Sequence, residues 1–382
     1  MEPGAEDGIA NLANALIQAR QWRDAGPHLR RLIAIAPDQA LAHYNVGVAA
    51  MHLGRYAATA IASARARALD PAHGDAVYNE AQACLALGDW HRGFELYEHR
   101  WSAPSFPVRW PSFPGRRWTG EVAAGARLLL VAEQGHGDTI QFLRYVPLCR
   151  QRVGQMILVS PPSLSRLAAT IPGLDVVGER TSLPEVDFHL PIASLPSVFG
   201  TTPETVPSPD VYRPDPSQVA ATSKLLRPTR NVRIGICWKG NPAFVDDERR
   251  SPGLDAMRPF FQVSGVDFVS LVKYPGPDDL GGLPIEDPME RMHDFLDTAH
   301  LAAGLDGVIT SDTAVAHLTG SLGMPVLLLL SAAADWRWLE GRPDTPWYPT
   351  MTLFRQSTLG SWREPVNRAI QALRTWLDRR DK

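Results

Sequence analysis

Four stretches of the chain carry residue types whose spacing suits chemistry on an anion. The first is Ser311-Asp312-Thr313-Ala314, with His317 close behind. Ser311, Asp312 and Thr313 are helix-capping types placed directly after the apolar pair Val308-Ile309, so a strand should end here and a helix begin. Such a helix start offers unpaired N–H groups and a positive dipole end, which suits a diphosphate. His317 follows Thr313 by four residues and shares its helix face. The second stretch is Gly135-His136-Gly137-Asp138, after the apolar run Arg127–Ala132. Asp138, or alternatively His136, is placed to take a proton from an acceptor hydroxyl. Purely structural uses compete with these readings: Asp138 as a cap, Asp312 or Thr313 as a cap, and His317 as a core histidine.

The third stretch, Trp238-Lys239-Gly240-Asn241-Pro242, runs into Asp246, Asp247, Arg249, Arg250 and Ser251. Lys239, Arg249 and Arg250 are cations able to offset the charge of a leaving diphosphate, while Asp246 and Asp247 read as solvated surface charge. The fourth is the aromatic tail, Asp335-Trp336-Arg337-Trp338 through Trp347-Tyr348. Trp336 is a candidate for stacking on a base or sugar, with ordinary packing as the alternative.

The elements that hold these stretches read as two α/β halves. In the first, strand patterns at Arg127–Ala132, Met156–Val159, Asp175–Val177 and Phe188–Ile192 alternate with helical patterns from about Ile140 to Arg152 and near Ser163–Thr170. A stretch rich in Pro, Ser and Thr, 196–217, connects them. The second half has strands at Val232–Cys237, Asp267–Leu271 and Val326–Leu330, helices near Leu254–Val263 and Asp294–Gly304, and a final helix from about Trp362 to Arg379. Two parallel sheets joined this way predict a cleft between their carboxyl ends.

Ahead of them lies a repeat. Asn11, Asn45 and Asn79 recur every 34 residues, as do Trp22, Tyr56 and Trp90. Ala13, Gly47 and Ala81 share one small-residue position, and Leu53-Gly54 recurs as Leu87-Gly88. This is the period of tetratricopeptide helical hairpins, which stack into a groove suited to a peptide or to bracing a neighbouring domain. The first repeat is the least regular, with Arg20 where the others have Gly. After Trp101 the pattern breaks at Pro104, Pro107, Pro111 and Pro114, a stiff joint.

Composition narrows the function classes. The chain has 382 residues, 45% hydrophobic and 21% charged, which is ordinary for a globular protein of two or three domains. A formal charge of −3 gives no electrostatic reason to expect nucleic acid. The three cysteines form no CxxC, and neither a metal-ligand constellation nor a phosphate-binding GxxxxGK[ST] motif occurs. Gly135-His136-Gly137 is not a full dinucleotide fingerprint. No apolar run approaches the roughly 20 residues needed to span a bilayer, and the first residues lack a signal-peptide core, so the expectation is a cytoplasmic protein.

Taken in order, Glu133-Gln134-Gly135-His136-Gly137-Asp138-Thr139-Ile140-Gln141-Phe142-Leu143-Arg144-Tyr145, Cys237-Trp238-Lys239-Gly240-Asn241-Pro242, Arg249-Arg250-Ser251, Ser311 to Leu318, Asp335 to Trp338, Pro346-Trp347-Tyr348-Pro349 and Phe354-Arg355-Gln356 resemble bacterial glycosyltransferases that carry tetratricopeptide repeats. The transferase part is similar to the heptosyltransferases of lipopolysaccharide synthesis, glycosyltransferase family 9. The resemblance spans nearly the whole chain. It implies helical repeats followed by an α/β GT-B fold, two Rossmann-like domains facing a cleft. It also implies metal-independent, inverting transfer from a nucleotide-diphosphate sugar, with no cofactor. By motif, Asp138 matches the base, and Asp312, Thr313, Ala314 and His317 match the donor-diphosphate segment. That segment is usually Asp-Thr-Gly-x-x-His in the heptosyltransferases, and Ala314 replaces the Gly. Arg250 falls near their phosphate-binding Lys, although the loop lengths differ.

The lipopolysaccharide enzymes lack the repeats, which in protein glycosyltransferases hold a protein acceptor. The expected domains are therefore repeats over 1–103, an acceptor-side half over 104–210 and a donor-binding half over 211–382 ending in a crossover helix. The expected donor set is Lys239, Asn241, Arg250, Ser311, Asp312, Thr313, Ala314, His317 and Trp336. Asp138 or His136 serves as the catalytic base, and no metal ligand is expected. A protein is the expected acceptor and a lipid-linked glycan the alternative. A non-catalytic interaction protein with a nucleotide-sensing domain is the rival class, and nothing excludes an oligomer.

Overall fold

The 34-residue period of the amino-terminal sequence reappears as helices α1 (Ala5–Gln18), α2 (Trp22–Ile35), α3 (Ala40–His52), α4 (Tyr56–Leu69), α5 (Gly74–Ala86) and α6 (Trp90–Tyr97). They belong to a computed structural model that describes residues 5–108, 113–179, 183–244, 246–273, 280 and 282–380. Trp22, Tyr56 and Trp90 each open the second helix of a pair. Two residues before each of them, Arg20, Gly54 and Gly88 take φ values of +58°, +69° and +88°. The turn between paired helices is therefore left-handed at one repeated position, which glycine adopts freely and arginine only against steric strain. The small-residue column is a helix contact: Ala13 and Ala81 are fully buried, and a Cβ on Gly47 would lie 2.6 Å from Ser63 Oγ. Glu80, buried on α5, accepts from Arg67 Nε at 2.7 Å and from Arg92, which ties α4, α5 and α6 together.

Contacts divide the chain into two units, and the first combines these helices with Gly200–Thr205 and Ala332–Arg342. Within it the Tyr56 hydroxyl donates to the Ala334 carbonyl, and the Glu340 N–H donates to the Ala86 carbonyl at 2.8 Å. Trp336 packs edge-on against Phe94 and Tyr97. Sequence patterning places 332–342 with the second sheet, but its aromatic residues instead complete the apolar core of the helical unit. Of the proline-rich joint, residues 109–112 lie outside the described residues.

The second unit holds two parallel sheets. Its strands are β1 (Arg116–Arg117), β2 (Ala123–Val131), β3 (Val153–Ser160), β4 (Leu174–Gly178) and β5 (Phe188–Pro191), then β6 (Val232–Cys237), β7 (Val266–Ser270), β8 (Ile285–Glu286), β9 (Gly307–Ser311), β10 (Val326–Leu330) and β11 (Met351–Arg355). The first sheet has the order β1-β5-β2-β3-β4 and the second β11-β10-β9-β6-β7-β8. Strand-to-strand register is parallel throughout, with Leu129 opposite Ile157 and Gly235 opposite Val308. The central strands are near-continuous apolar runs because helices cover both faces. The covering helices include α7 (His136–Phe142), α8 (Pro162–Ala168), α9 (Phe295–Ala303), α10 (Ala314–Ser321) and α11 (Arg363–Arg380).

Chain direction across the first sheet reverses between β2 and β5, and across the second between β6 and β9. These are the points where an open parallel sheet leaves a crevice at its carboxyl edge. Two expected helices are broken, each at a proline. The stretch Ile140–Arg152 begins earlier, as α7, then passes through a tight 3-10 turn and restarts at Val146 beside Pro147. Leu254–Val263 divides similarly at Pro259, whose missing N–H cannot continue the ladder. Among the described residues no helix is long and apolar enough to cross a membrane.

Replacing Arg20 by Gly removes the strain of a non-glycine left-handed residue and should stabilise the helical unit by about 1 kcal/mol. Thermal unfolding of the full chain measures this. A lower midpoint for Arg20→Gly would contradict the strained turn.

Candidate active site

The site starts where β2 ends. Glu133, buried just beyond the strand, accepts the Ala193 N–H at 3.1 Å and so bridges the crevice between β2 and β5. Gly135 then caps α7 with extended backbone, and its N–H donates to Asp138 Oδ2 at 2.8 Å. Asp138 is thus the third residue of α7, and Gly135 holds the cap position. A carboxylate there satisfies one of the orphan N–H groups and lies at the positive dipole end. His136 opens the helix, with Nε2 2.8 Å from Ser163 Oγ on α8 and its ring tilted against Phe295 of α9 at 5.2 Å. Burial in this cluster pushes its pKa below the ordinary value, against the opposing pull of Glu179 and Asp138.

The matching crevice in the second sheet lies between β6 and β9. Cys237 Sγ, at the end of β6, approaches Thr313 Oγ1 at 3.7 Å, and Thr313 Oγ1 lies 3.3 Å from Thr310 Oγ1. Burial raises the Cys237 thiol pKa, so the thiol is held in its neutral form beside the two hydroxyls. Thr313 is the cap residue of α10, yet its hydroxyl points to these strand ends and makes no capping bond. The first N–H groups of α10 are therefore not covered by that side chain. Ser311 is fully buried, and its Oγ has no hydrogen-bond partner among the described residues. Asp312 is half-buried and Ala314 opens the helix.

His317 is buried on α10, with Nδ1 2.8 Å from the Tyr348 hydroxyl. A Cβ placed on Gly137 would sit 2.6 Å from His317 Cδ2 and 3.3 Å from Nε2. The first turn of α7 and the face of α10 thus touch, which sets Gly137, the residue before Asp138, against His317 from a different sheet. Other links between these halves are Arg144 Nη1 to the Trp347 carbonyl at 2.6 Å, and Arg166 Nη1 to Asp294 at 3.0 Å and Asp297 at 3.1 Å.

The charged loop after β6 is organised from within. Arg250 Nε donates to Asp247 Oδ1 at 3.0 Å and its guanidinium lies over Phe244. Ser251 Oγ donates to Asp247 Oδ2 at 3.1 Å and accepts the Gly240 N–H at 3.2 Å. Asp247 is consequently buried, not the solvated charge that the sequence suggests; it is the hub on which the loop closes. Arg249 pairs with Asp246 at 3.7 Å, so both arginines enter the site with carboxylates attached. Lys239 is half-buried, while Asn241 is exposed and turns its Oδ1 to the Ala243 N–H. Trp336 does not join the others, because it belongs to the core of the helical unit. Sequence reasoning includes Arg144 and Tyr348 in motif stretches but gives neither a place in the expected site. The signal is there in Arg144, a cation set in the apolar run Phe142-Leu143-Arg144-Tyr145-Val146. Among the described residues no three His, Cys, Asp or Glu side chains gather as a metal-binding group.

No protein-family model matches the chain. A curated relative, Protein FlbA of Caulobacter vibrioides, is 28% identical over 380 residues, covering 90% of this chain; the chain spans 62% of that protein's length. Among solved structures the chain is similar to the E. coli ADP-heptose lipopolysaccharide heptosyltransferase II, at 11% identity and a TM-score of 0.48 over 67% of this chain and 100% of that one. It is also similar to a family 9 glycosyl transferase from Veillonella parvula, at 12% identity and a TM-score of 0.46 over 63% and 88%. The iron-containing dodecameric glycosyltransferase TibC of enterotoxigenic E. coli matches at 12% identity and a TM-score of 0.45 over 68% and 78%.

Two outcomes follow from this geometry. Gly137→Ala forces a methyl into the His317 ring and should destabilise the α/β unit by about 1–3 kcal/mol; an unchanged unfolding midpoint would contradict the close approach. His136 should titrate below the ordinary 6.5 in an NMR pH series. Since the unfolded chain then binds that proton more tightly, stability tied to His136 is complete above about pH 6.5 and declines as pH falls below it. A midpoint at or above 6.5 would contradict its burial.

Proposed function

We propose that the chain is an inverting glycosyltransferase of GT-B architecture that moves a sugar from a nucleotide-diphosphate donor to a hydroxyl acceptor. The observation that carries this reading is the close approach of Gly137, the residue before Asp138, to His317, the two lying just beyond the carboxyl edges of different parallel sheets. A carboxylate base on one side and a helix start with a histidine on the other are the two halves of such a reaction. The motif resemblance across both halves supports the same assignment.

In this mechanism the donor diphosphate lies at the start of α10. There the N–H groups of the 311–314 segment, the dipole end and His317 draw off the charge that develops as the sugar leaves. Ala314 supplies its N–H as a glycine would, with a methyl group to accommodate. Lys239 adds positive charge, and Arg250 adds less than a lone arginine because Asp247 already balances it. Asp138 takes the proton of the acceptor hydroxyl as its oxygen attacks the anomeric carbon on the face opposite the leaving diphosphate, which inverts that centre. His136 is the weaker candidate for this step, since Nε2 is engaged with Ser163 and the ring is packed on Phe295. Charge neutralisation by N–H groups and cations makes the proposed transfer metal-independent. Trp336 takes no part in it.

The acceptor we favour is a protein segment held by the amino-terminal helices, read as tetratricopeptide repeats. The recurring left-handed turns support that reading, as does a cavity among α2, α3 and α4 lined by Trp22, Arg23, Arg30, Leu53 and Arg55.

The test is Asp138→Asn in the full chain, assayed for sugar release or transfer from a panel of nucleotide-diphosphate sugars. Turnover should fall by about a hundredfold to ten-thousandfold with nucleotide binding retained. Unchanged turnover removes Asp138 from the mechanism. Donor binding without any consumption by the wild-type protein would favour a nucleotide-sensing interaction protein instead.

A further inference from the structure

Arg144 is almost completely buried, and no carboxylate among the described residues pairs with it. Its Nε donates to the Gln141 carbonyl at 2.8 Å, Nη1 donates to the Trp347 carbonyl at 2.6 Å, and Nη2 is buried with no acceptor. A buried cation without an anion is expensive, so its surroundings must compensate. They do so with carbonyls and π faces: the guanidinium carbon lies 5.4 Å from the Trp347 ring centre and 4.7 Å from that of Tyr348. Tyr348 is fully buried and lies against α10, where a Cβ on Gly320 would come within 2.7 Å of its ring. Its hydroxyl meets His317 Nδ1 at 2.8 Å.

That hydrogen bond can run in either direction, and the direction decides which imidazole nitrogen carries the proton. A positive charge over the phenol ring stabilises negative charge on its oxygen, which makes the O–H a stronger donor. The same charge disfavours a second cation at His317. Both effects select a neutral imidazole that accepts at Nδ1 and carries its proton on Nε2. The Cδ2–Nε2 edge is the one turned toward Gly137 and the first turn of α7.

We propose that Tyr348 is a positioning residue that holds His317 in the Nε2-protonated tautomer, with the buried Arg144 guanidinium fixing the direction of the hydrogen bond. The consequence rests on the glycosyltransferase reading: an N–H, rather than a lone pair, faces the anionic donor. With the opposite tautomer, Nε2 would repel a phosphate oxygen.

The experiment is nitrogen-15 NMR on histidine-labelled full chain without ligand, with His317→Ala identifying the resonances. Wild-type protein should show an unprotonated Nδ1 and a protonated Nε2 at His317. Tyr348→Phe keeps the ring and should move the signals toward a mixture of tautomers. Tyr212→Phe removes another buried hydroxyl, one that donates to the Ile140 carbonyl at 3.0 Å, and should leave them unchanged. A protonated Nδ1 in the wild type overturns the proposal even if Tyr348→Phe does not fold. Equal shifts in both variants, or none in Tyr348→Phe, also overturn it. In parallel, ADP, UDP and GDP are titrated into wild type and Tyr348→Phe, with about a tenfold loss of affinity expected for whichever nucleotide binds. If none binds the wild type, the transferase reading fails while the tautomer result still decides the role of Tyr348.

Discussion

His317 can lie against the first turn of α7 because residue 137 has no side chain. The contact joins elements of two sheets that have separate strand orders. The turn that makes this contact also carries Asp138, whose carboxylate accepts the Gly135 N–H. Around it the halves are held at several points of different chemistry. Arg144 crosses through the interior to the Trp347 carbonyl, and Arg166 forms an ion pair with Asp294 and Asp297. The interior tie is sheltered from solvent, whereas the Arg166 pair, on a largely exposed arginine, contributes little and weakens with salt. Separation of the halves, where it occurs, should therefore be resisted chiefly by packing at Gly137 and the Arg144 tie.

Each sheet prepares its side of the site in the same way. A strand beside the reversal point ends, the chain turns into a helix start, and the adjacent strand end supplies a bridging partner. Glu133 to Ala193 does this in the first sheet and Cys237 to Thr313 in the second. The two bridges differ in chemistry, a carboxylate taking an N–H in one and a thiol beside two hydroxyls in the other. That difference matches the proposed division of labour, proton acceptance on one side and anion binding on the other. The chain between β10 and β11 serves a different core, since residues 332–342 leave the second sheet's sequence to complete the packing of the helical unit.

Much of this was legible in the sequence because it rests on local rules. The apolar runs at Leu128–Val131 and Val326–Leu330, bounded by turn residues, are buried parallel strands. The column of Trp22, Tyr56 and Trp90 marks helix starts, and the odd Arg20 sits in a left-handed turn. What local pattern could not show was which partners would be near. Asp247 read as solvent-exposed because its role depends on Arg250 and Ser251 folding back over Gly240. Trp336 read as a stacking residue because aromatic composition does not reveal which core receives it. Tyr348 and Arg144 are 204 positions apart in the chain, and their relation to His317 exists only in three dimensions. The broken helices at Pro147 and Pro259 were readable, since a proline inside a helical pattern already argues for a break.

The central claim is that the start of α10 with His317 binds a nucleotide diphosphate. The most direct measurement is a calorimetric titration of ADP, UDP, GDP and dTDP, with CMP as a monophosphate control, into the wild-type chain and into His317→Ala. The account predicts one nucleoside diphosphate binding at one site per chain, with affinity reduced at least about tenfold in the variant. Binding of equal strength in both proteins, or no binding of any nucleotide to the wild type, would contradict it.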